Sequence, residues 1–185
     1  MPPEPLSDAM PDDRPDDWFE HWYGPWAPRT PRDVAALFAG YPGIWWVAGG
    51  WALEAFTGVE RHHEDIDPGV LRQDLPEGCG QLWTRRDATS PWEFDVLLSP
   101  GTAQTWVYER DPAITMPMAD ALWVADGVTY LQPEIQLLYK ARGLRPKDRR
   151  DFDATLPALG RDRRAWLADA LGRTLPGHPW LDALR

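Results

Sequence analysis

The stretch WWVAGGWALEAFTGVERHHEDIDPGV, residues 45–70, decides the fold. Residues 44–48 are a short continuous apolar run, which reads as a buried strand. Gly49 and Gly50 follow, and residues 51–56 read as a helix ending near Gly58. A second strand is expected over residues 65–71, with Pro68 as its weak point because proline prefers an edge or a bulge. Residues i and i+2 of a strand point to the same side, so Asp65 and Asp67 project together. Two carboxylates that close repel each other unless something positive lies between them. A hard divalent cation answers that need, since Mg²⁺ takes one or two carboxylates plus substrate phosphate oxygens. At a strand-to-helix turn, the bare N–H groups of Gly49 and Gly50 can hold a phosphate. The competing reading of the aspartates is a solvated strand face with a salt bridge from Arg61 or Arg72.

Outward from this stretch, residues 92–98 (WEFDVLL) alternate cleanly: Trp92, Phe94, Val96 and Leu98 share one face, Glu93 and Asp95 the other. Were this strand adjacent to the first aspartates, Asp95 would supply a third carboxylate, with Glu93 as its rival. Three converging carboxylates are the wiring of a two-metal phosphoryl-transfer site, with ions about 4 Å apart. Residues 122–130 read as a hairpin around an Ala-Asp-Gly turn. Upstream, Thr30-Pro31-Arg32-Asp33 reads as a helix start. Downstream the pattern turns helical, over residues 133–142, 147–156 and 162–171. The fold class expected is α+β: a small mixed β-sheet core flanked by helices, with a helical C-terminal portion. Residues 1–17, rich in Pro and Asp, are expected as a disordered or loosely attached arm, residues 18–131 as the core, and 132–185 as the helical portion.

The chain has 185 residues, 43% of them hydrophobic, enough for one compact domain or one domain with a small helical lobe. A net charge of −10 counts against non-specific nucleic-acid binding, which needs a basic surface. It suits a cationic substrate, and equally plain solubility. The single cysteine, Cys79, excludes an internal disulfide. No apolar run approaches the roughly 18 residues of a membrane span, and the acidic N-terminus is unlike a signal peptide. A cytoplasmic, membrane-free protein is expected.

The segment Gly49-Gly50-Trp51-Ala52-Leu53-Glu54, Gly58, then Arg61-His62-His63-Glu64-Asp65-Ile66-Asp67 resembles the aminoglycoside and lincosamide nucleotidyltransferases of the DNA polymerase β-like superfamily. The later stretch YLQPEIQLLYKARGLRPKDRRDF resembles them too. The likeness covers about residues 18–182. Glu54 stands where that family commonly has Asp, and Pro68-Gly69 where an apolar β-branched residue is usual. The resemblance implies Mg²⁺-dependent transfer of a nucleoside monophosphate from an NTP, with ATP the expected one, to a hydroxyl of a small molecule. Pyrophosphate would leave, and an aminoglycoside- or lincosamide-like antibiotic is one acceptor class so implied. It makes Asp65 and Asp67 metal ligands, and Asp95 a third ligand or general base. Gly49 and Gly50 would line the triphosphate. Arg61 and His63 would contact nucleotide, or else brace the aspartate strand. Lys140 and Lys147 are the only lysines among 19 Lys and Arg residues, which suits point charges placed on phosphate, although a helical Lys also commonly snorkels to the surface. Two other readings stay open: a protein-modifying nucleotidyltransferase acting as the antitoxin of a toxin pair, and a degenerate nucleotide-binding module without catalysis.

Overall fold

The computed structural model describes residues 21, 23–72 and 81–185. The arm expected over residues 1–17, and Cys79, lie outside the described residues. Helix α1 (Pro31–Leu37) opens as its sequence suggests, with the Thr30 backbone N–H and Oγ1 both donating to Asp33 Oδ2, at 2.7 and 2.8 Å. Strand β1 (Trp45–Val47) runs into α2 (Gly49–Thr57), which Gly58 ends in the left-handed conformation, φ 69°. The chain continues through β2 (Pro68–Leu71), β3 (Gln81–Thr84), β4 (Phe94–Ser99), β5 (Thr105–Val107), β6 (Thr115–Pro117) and the short α3 (Met118–Ala121). The hairpin β7 (Leu122–Ala125) and β8 (Val128–Leu131) turns on Asp126 and Gly127, both at positive φ, as a two-residue hairpin loop requires. Helices α4 (Pro133–Lys140), α5 (Pro146–Thr155), α6 (Arg161–Thr174) and α7 (Trp180–Leu184) complete it. None of these helices is long and apolar enough to cross a membrane.

Six strands form one mixed sheet in the order β3-β4-β2-β1-β8-β7, while β5 and β6 make a separate ribbon. The fold class is α+β, as the sequence indicated. The β2–β4 and β1–β8 pairs are parallel and the remaining pairs antiparallel. One expectation needs correction. Strand β2 begins at Pro68 rather than Asp65, and it is central, not an edge. As first residue of the strand, Pro68 forfeits no ladder bond that matters. The ladder runs on irregularly before it: Ala48 N–H donates to the Asp67 carbonyl at 2.8 Å, and Asp95 N–H to the Ile66 carbonyl at 3.3 Å. Similarly, β4 starts two residues later than expected, because Trp92 bridges to Trp26 in the preceding strap.

The sheet divides two apolar clusters. On one face Val47, Ile66, Val70, Phe94, Val96 and Leu98 pack with Val34 of α1. On the other, Trp46 and Leu71 pack with the helical half, including Ile135, Leu138, Phe152 and Leu171. Because side chains alternate along a strand, Asp65, Asp67 and Asp95 all fall on this second face, opposite Ile66 and Val96. Helix α4, between α2, α5 and α6, buries seven of its eight residues. Three of those, Glu134, Gln136 and Lys140, are polar and need partners there.

Candidate active site

The parallel register of β2 on β4 pairs Gly69 with Leu97. Carried two residues back along both chains, it sets Asp67 beside Asp95, a placement the Asp95–Ile66 backbone bond supports. Asp65 stands close enough for its charge to act on both. Burial raises the Asp67 carboxyl well above the usual range; Asp65 and then Asp95 raise it further, against the pull of Lys140 and Lys147. Asp95 is pushed up to about 7, by burial first and the charge of Asp65 second, against contacts from Trp83 and Gln81. The Gln81 side-chain amide donates to both Asp95 oxygens, at 3.0 and 2.9 Å. Glu93, the rival third carboxylate, is held instead by Arg29, in a short ion pair, and by Arg86 at 4.0 Å.

In front of Asp65 and Asp67 lies a cavity of about 420 Å³. Gly49 and Gly50 form one wall, and Arg61, His63, Lys140 and Lys147 also line it, so the expected site residues other than Asp95 meet here. Asp95 is not among the lining residues, although the register sets it beside Asp67. The spacing did not single out Gln136, Tyr139, Arg145 or Arg150, which also line the cavity. In all, Arg61, Lys140, Arg145, Lys147 and Arg150 line the cavity with Glu64, Asp65 and Asp67, so both signs of charge meet in it.

The glycines differ from expectation: they are the first two residues of α2, not a separate turn before it. The N–H of Gly49 donates to Gln136 Oε1 at 2.9 Å, so that donor is already engaged. Gly49 has φ +66°, and a Cβ built on it would lie 1.8 Å from Asp67 Oδ2. On Gly50 a Cβ would lie 1.6 Å from Arg61 Nη2. The glycines thus make room for the carboxylate and guanidinium of the site itself. Arg61 and His63 do brace the approach to the aspartates. Glu54 Oε2 accepts the Arg61 backbone N–H at 3.0 Å and pairs with His63 Nε2 at 2.8 Å. His63 stacks on Trp51 with ring centroids 4.1 Å apart, and burial lowers its imidazole pKa, partly offset by the Glu54 hydrogen bond.

Lys140 does not reach for the surface. Its ammonium is buried, with Asp151 at 2.9 Å and Asp148 at 3.3 Å. Asp148 also accepts from Arg145 Nε at 2.8 Å and from the Arg145 backbone N–H at 3.2 Å, and the hydrogen bond from Arg145 and the charge of Lys140 hold its carboxyl below the ordinary value despite burial. Lys147 is half-exposed, 3.5 Å from Glu64. Asp148 and Asp151 were visible in the sequence as acidic residues amid Arg and Lys, three apart on one helix face, yet their spacing alone assigned them no partner.

Among the described residues, no three His, Cys, Asp or Glu side chains converge closely enough to hold an ion by themselves. The donor chemistry nevertheless fits Mg²⁺. Asp65 and Asp67 offer hard oxygens at the rim of a cavity whose cations suit phosphate, and Mg²⁺ ordinarily completes its shell with phosphate oxygens and water.

The chain is similar in fold to the antibiotic-resistance factor ANT(2'')-Ia, known from a solution structure. The two share 16% identity, with 77% of this chain and 89% of that one covered, at a TM-score of 0.47. It is also similar to an antigenic nucleotidyltransferase-like protein from Paracoccidioides brasiliensis, at 15% identity, 86% and 94% coverage and a TM-score of 0.47. No protein-family model and no curated protein sequence matches the chain.

Proposed function

We propose that the chain is a nucleotidyltransferase that moves a nucleoside monophosphate from an NTP to a hydroxyl of a small molecule. One observation carries the reading: a single cavity sets Asp65 and Asp67 against Lys140, Lys147, Arg145 and Arg150 across the Gly49-Gly50 turn. A triphosphate with its metal needs both kinds of charge at once, carboxylates for the cation and cations for the remaining phosphate oxygens. Mg²⁺ bound by Asp65 and Asp67 would neutralise charge on the phosphates and orient the α-phosphate. The lysines and arginines opposite would hold the β- and γ-phosphates and favour departure of pyrophosphate. The acceptor oxygen forms its bond to the α-phosphorus as the bond from that phosphorus to the pyrophosphate oxygen breaks. Asp95, set beside Asp67 by the β2–β4 register, would be the group to accept the acceptor's proton.

A module that binds nucleotide without turnover is the second reading, favoured by Asp95 not lining the cavity. Pro68 does not support it, because the Asp67 carbonyl keeps its bond from Ala48. Pyrophosphate release from Mg·ATP, over a panel of hydroxylic acceptors that includes aminoglycosides, lincosamides and hydroxyl-bearing peptides, separates the two. Asp65→Asn and Asp67→Asn are expected to cut release at least about 100-fold, a loss typical of positioned catalytic groups. Both should fold, and melt no lower than wild type without Mg²⁺, since each removes carboxylate repulsion. Wild-type turnover in either variant would show that the metal ligands lie elsewhere.

A further inference from the structure

We infer that Asp151 is the positioning residue of the phosphate wall: it ties Arg61 and Lys140, from separate elements, into one fixed pair of cations. The inference rests on the nucleotide reading above and deepens it. Asp151 Oδ1 accepts from Arg61 Nε at 3.0 Å, and Oδ2 from Arg61 Nη2 at 3.4 Å and from Lys140 Nζ at 2.9 Å. The Asp151 side chain is only 6% exposed and does not line the main cavity. It opens instead on a smaller recess of about 170 Å³ behind Arg61, beside Glu54 and Thr57. Arg61 Nη1 donates to the His62 carbonyl at 2.7 Å, so the guanidinium is fixed on two sides and Nη2 is left over Gly50. Lys140 is fixed from its other side by Asp148. Three cations, Arg61, Lys140 and Arg145, thus share two buried carboxylates. A phosphate arriving at the glycine turn meets donors already in place, with no side-chain ordering left to pay for.

The sign of one substitution separates this role from a purely electrostatic one. Asp151→Asn removes a negative charge near a polyanion site, so by Coulomb's law alone it should tighten anion binding. If Asp151 positions the cations, binding weakens instead. The experiment is calorimetric titration of the full chain with inorganic tripolyphosphate and with Mg·ATP, beside thermal melts. Wild type is expected to bind both, and Asp151→Asn to bind each about tenfold more weakly. Arg61→Lys keeps the charge but loses the planar fork, and should weaken binding by a similar factor. The double variant should bind no more weakly than the worse single one, as coupled groups behave. Unchanged or tighter binding in Asp151→Asn, or losses that multiply in the double variant, would overturn the inference. Should Asp151→Asn fail to fold, Arg61→Lys decides, and wild-type affinity there refutes it. A wild-type chain that binds neither probe would instead overturn the nucleotide reading, and this inference with it.

Discussion

Gly50, expected in a turn before the helix, is the second residue of α2 itself and serves a further end. The sequence placed Gly49 and Gly50 between strand and helix, where backbone N–H groups can meet phosphate. The structure adds that their missing side chains leave space for Asp67 and Arg61, a packing relation that no local spacing encodes. Gly50→Ala is therefore predicted to push the flexible end of Arg61 aside. Calorimetry should show Mg·ATP binding weakened about tenfold, while the melting temperature moves by only about 3 °C, within the span of a 1 kcal/mol change for a chain this size. Unchanged affinity would mean that Arg61 does not serve the nucleotide. Asp95 makes a second prediction at this scale. Its carboxyl is raised from 3.8 to about 7, so its favourable contribution is complete below about pH 4 and lost as pH rises through 7. Asp67 has the same sign. His63, lowered by burial, has the opposite one, its contribution being lost as pH falls through 6.5, so the contrast between wild type and Asp95→Asn isolates Asp95. In chelator, Asp95→Asn should gain little over wild type at pH 5 and more at pH 8, where it should melt roughly 3–6 °C higher, a gain of about 1–2 kcal/mol. A mutant that gains at pH 5 and not at pH 8 would contradict the assignment.

At the scale of elements, long periodic segments were legible and short ones were not. Strand β1, helix α2, the β7–β8 hairpin and helices α4 to α6 follow from apolar runs, caps and turn residues. Strands β5 and β6 have three residues each, too few for a period to show, and β3 (QLWT) carries only two apolar residues. Helix α7, five residues long, is held by Trp180 stacking on Phe152, a tertiary contact with no local signal. The Pro68-Gly69 pair likewise has a tertiary cause. Gly69 pairs across strands with Trp46, and a Cβ on Gly69 would lie 2.3 Å from the Trp46 indole. The buried tryptophan takes the volume that a β-branched residue would otherwise fill. Gly69→Val is predicted to overpack this face, at a cost of about 1–3 kcal/mol. A thermal melt should fall by roughly 3–10 °C. A variant that melts with wild type would show that Trp46 can move without cost.

For the whole molecule, net charge was the least informative number. A chain at −10 gathers five cations around one cavity, because Lys140, Lys147, Arg145, Arg150 and Arg61 converge from α4, α5 and the connecting loops. Composition counts charges without placing them, and only the packing of α4 and α5 beside the sheet's aspartates brings them together. The α+β class was legible from the order of elements, and the meeting of glycine turn and carboxylates from one continuous stretch. The cation network was not, since it joins residues about 90 apart. The central claim is that both charges act on one triphosphate and that the α-phosphoryl group is the one transferred. The direct test uses ATP labelled at the α-phosphate in one reaction and at the γ-phosphate in another, with Mg²⁺ and a broad pool of hydroxylic acceptors. The account predicts α-label in the modified acceptor and γ-label in pyrophosphate, both lost in Asp65→Asn. Transfer of the γ-label to acceptor, or ATP bound yet unchanged across the whole pool, would contradict it.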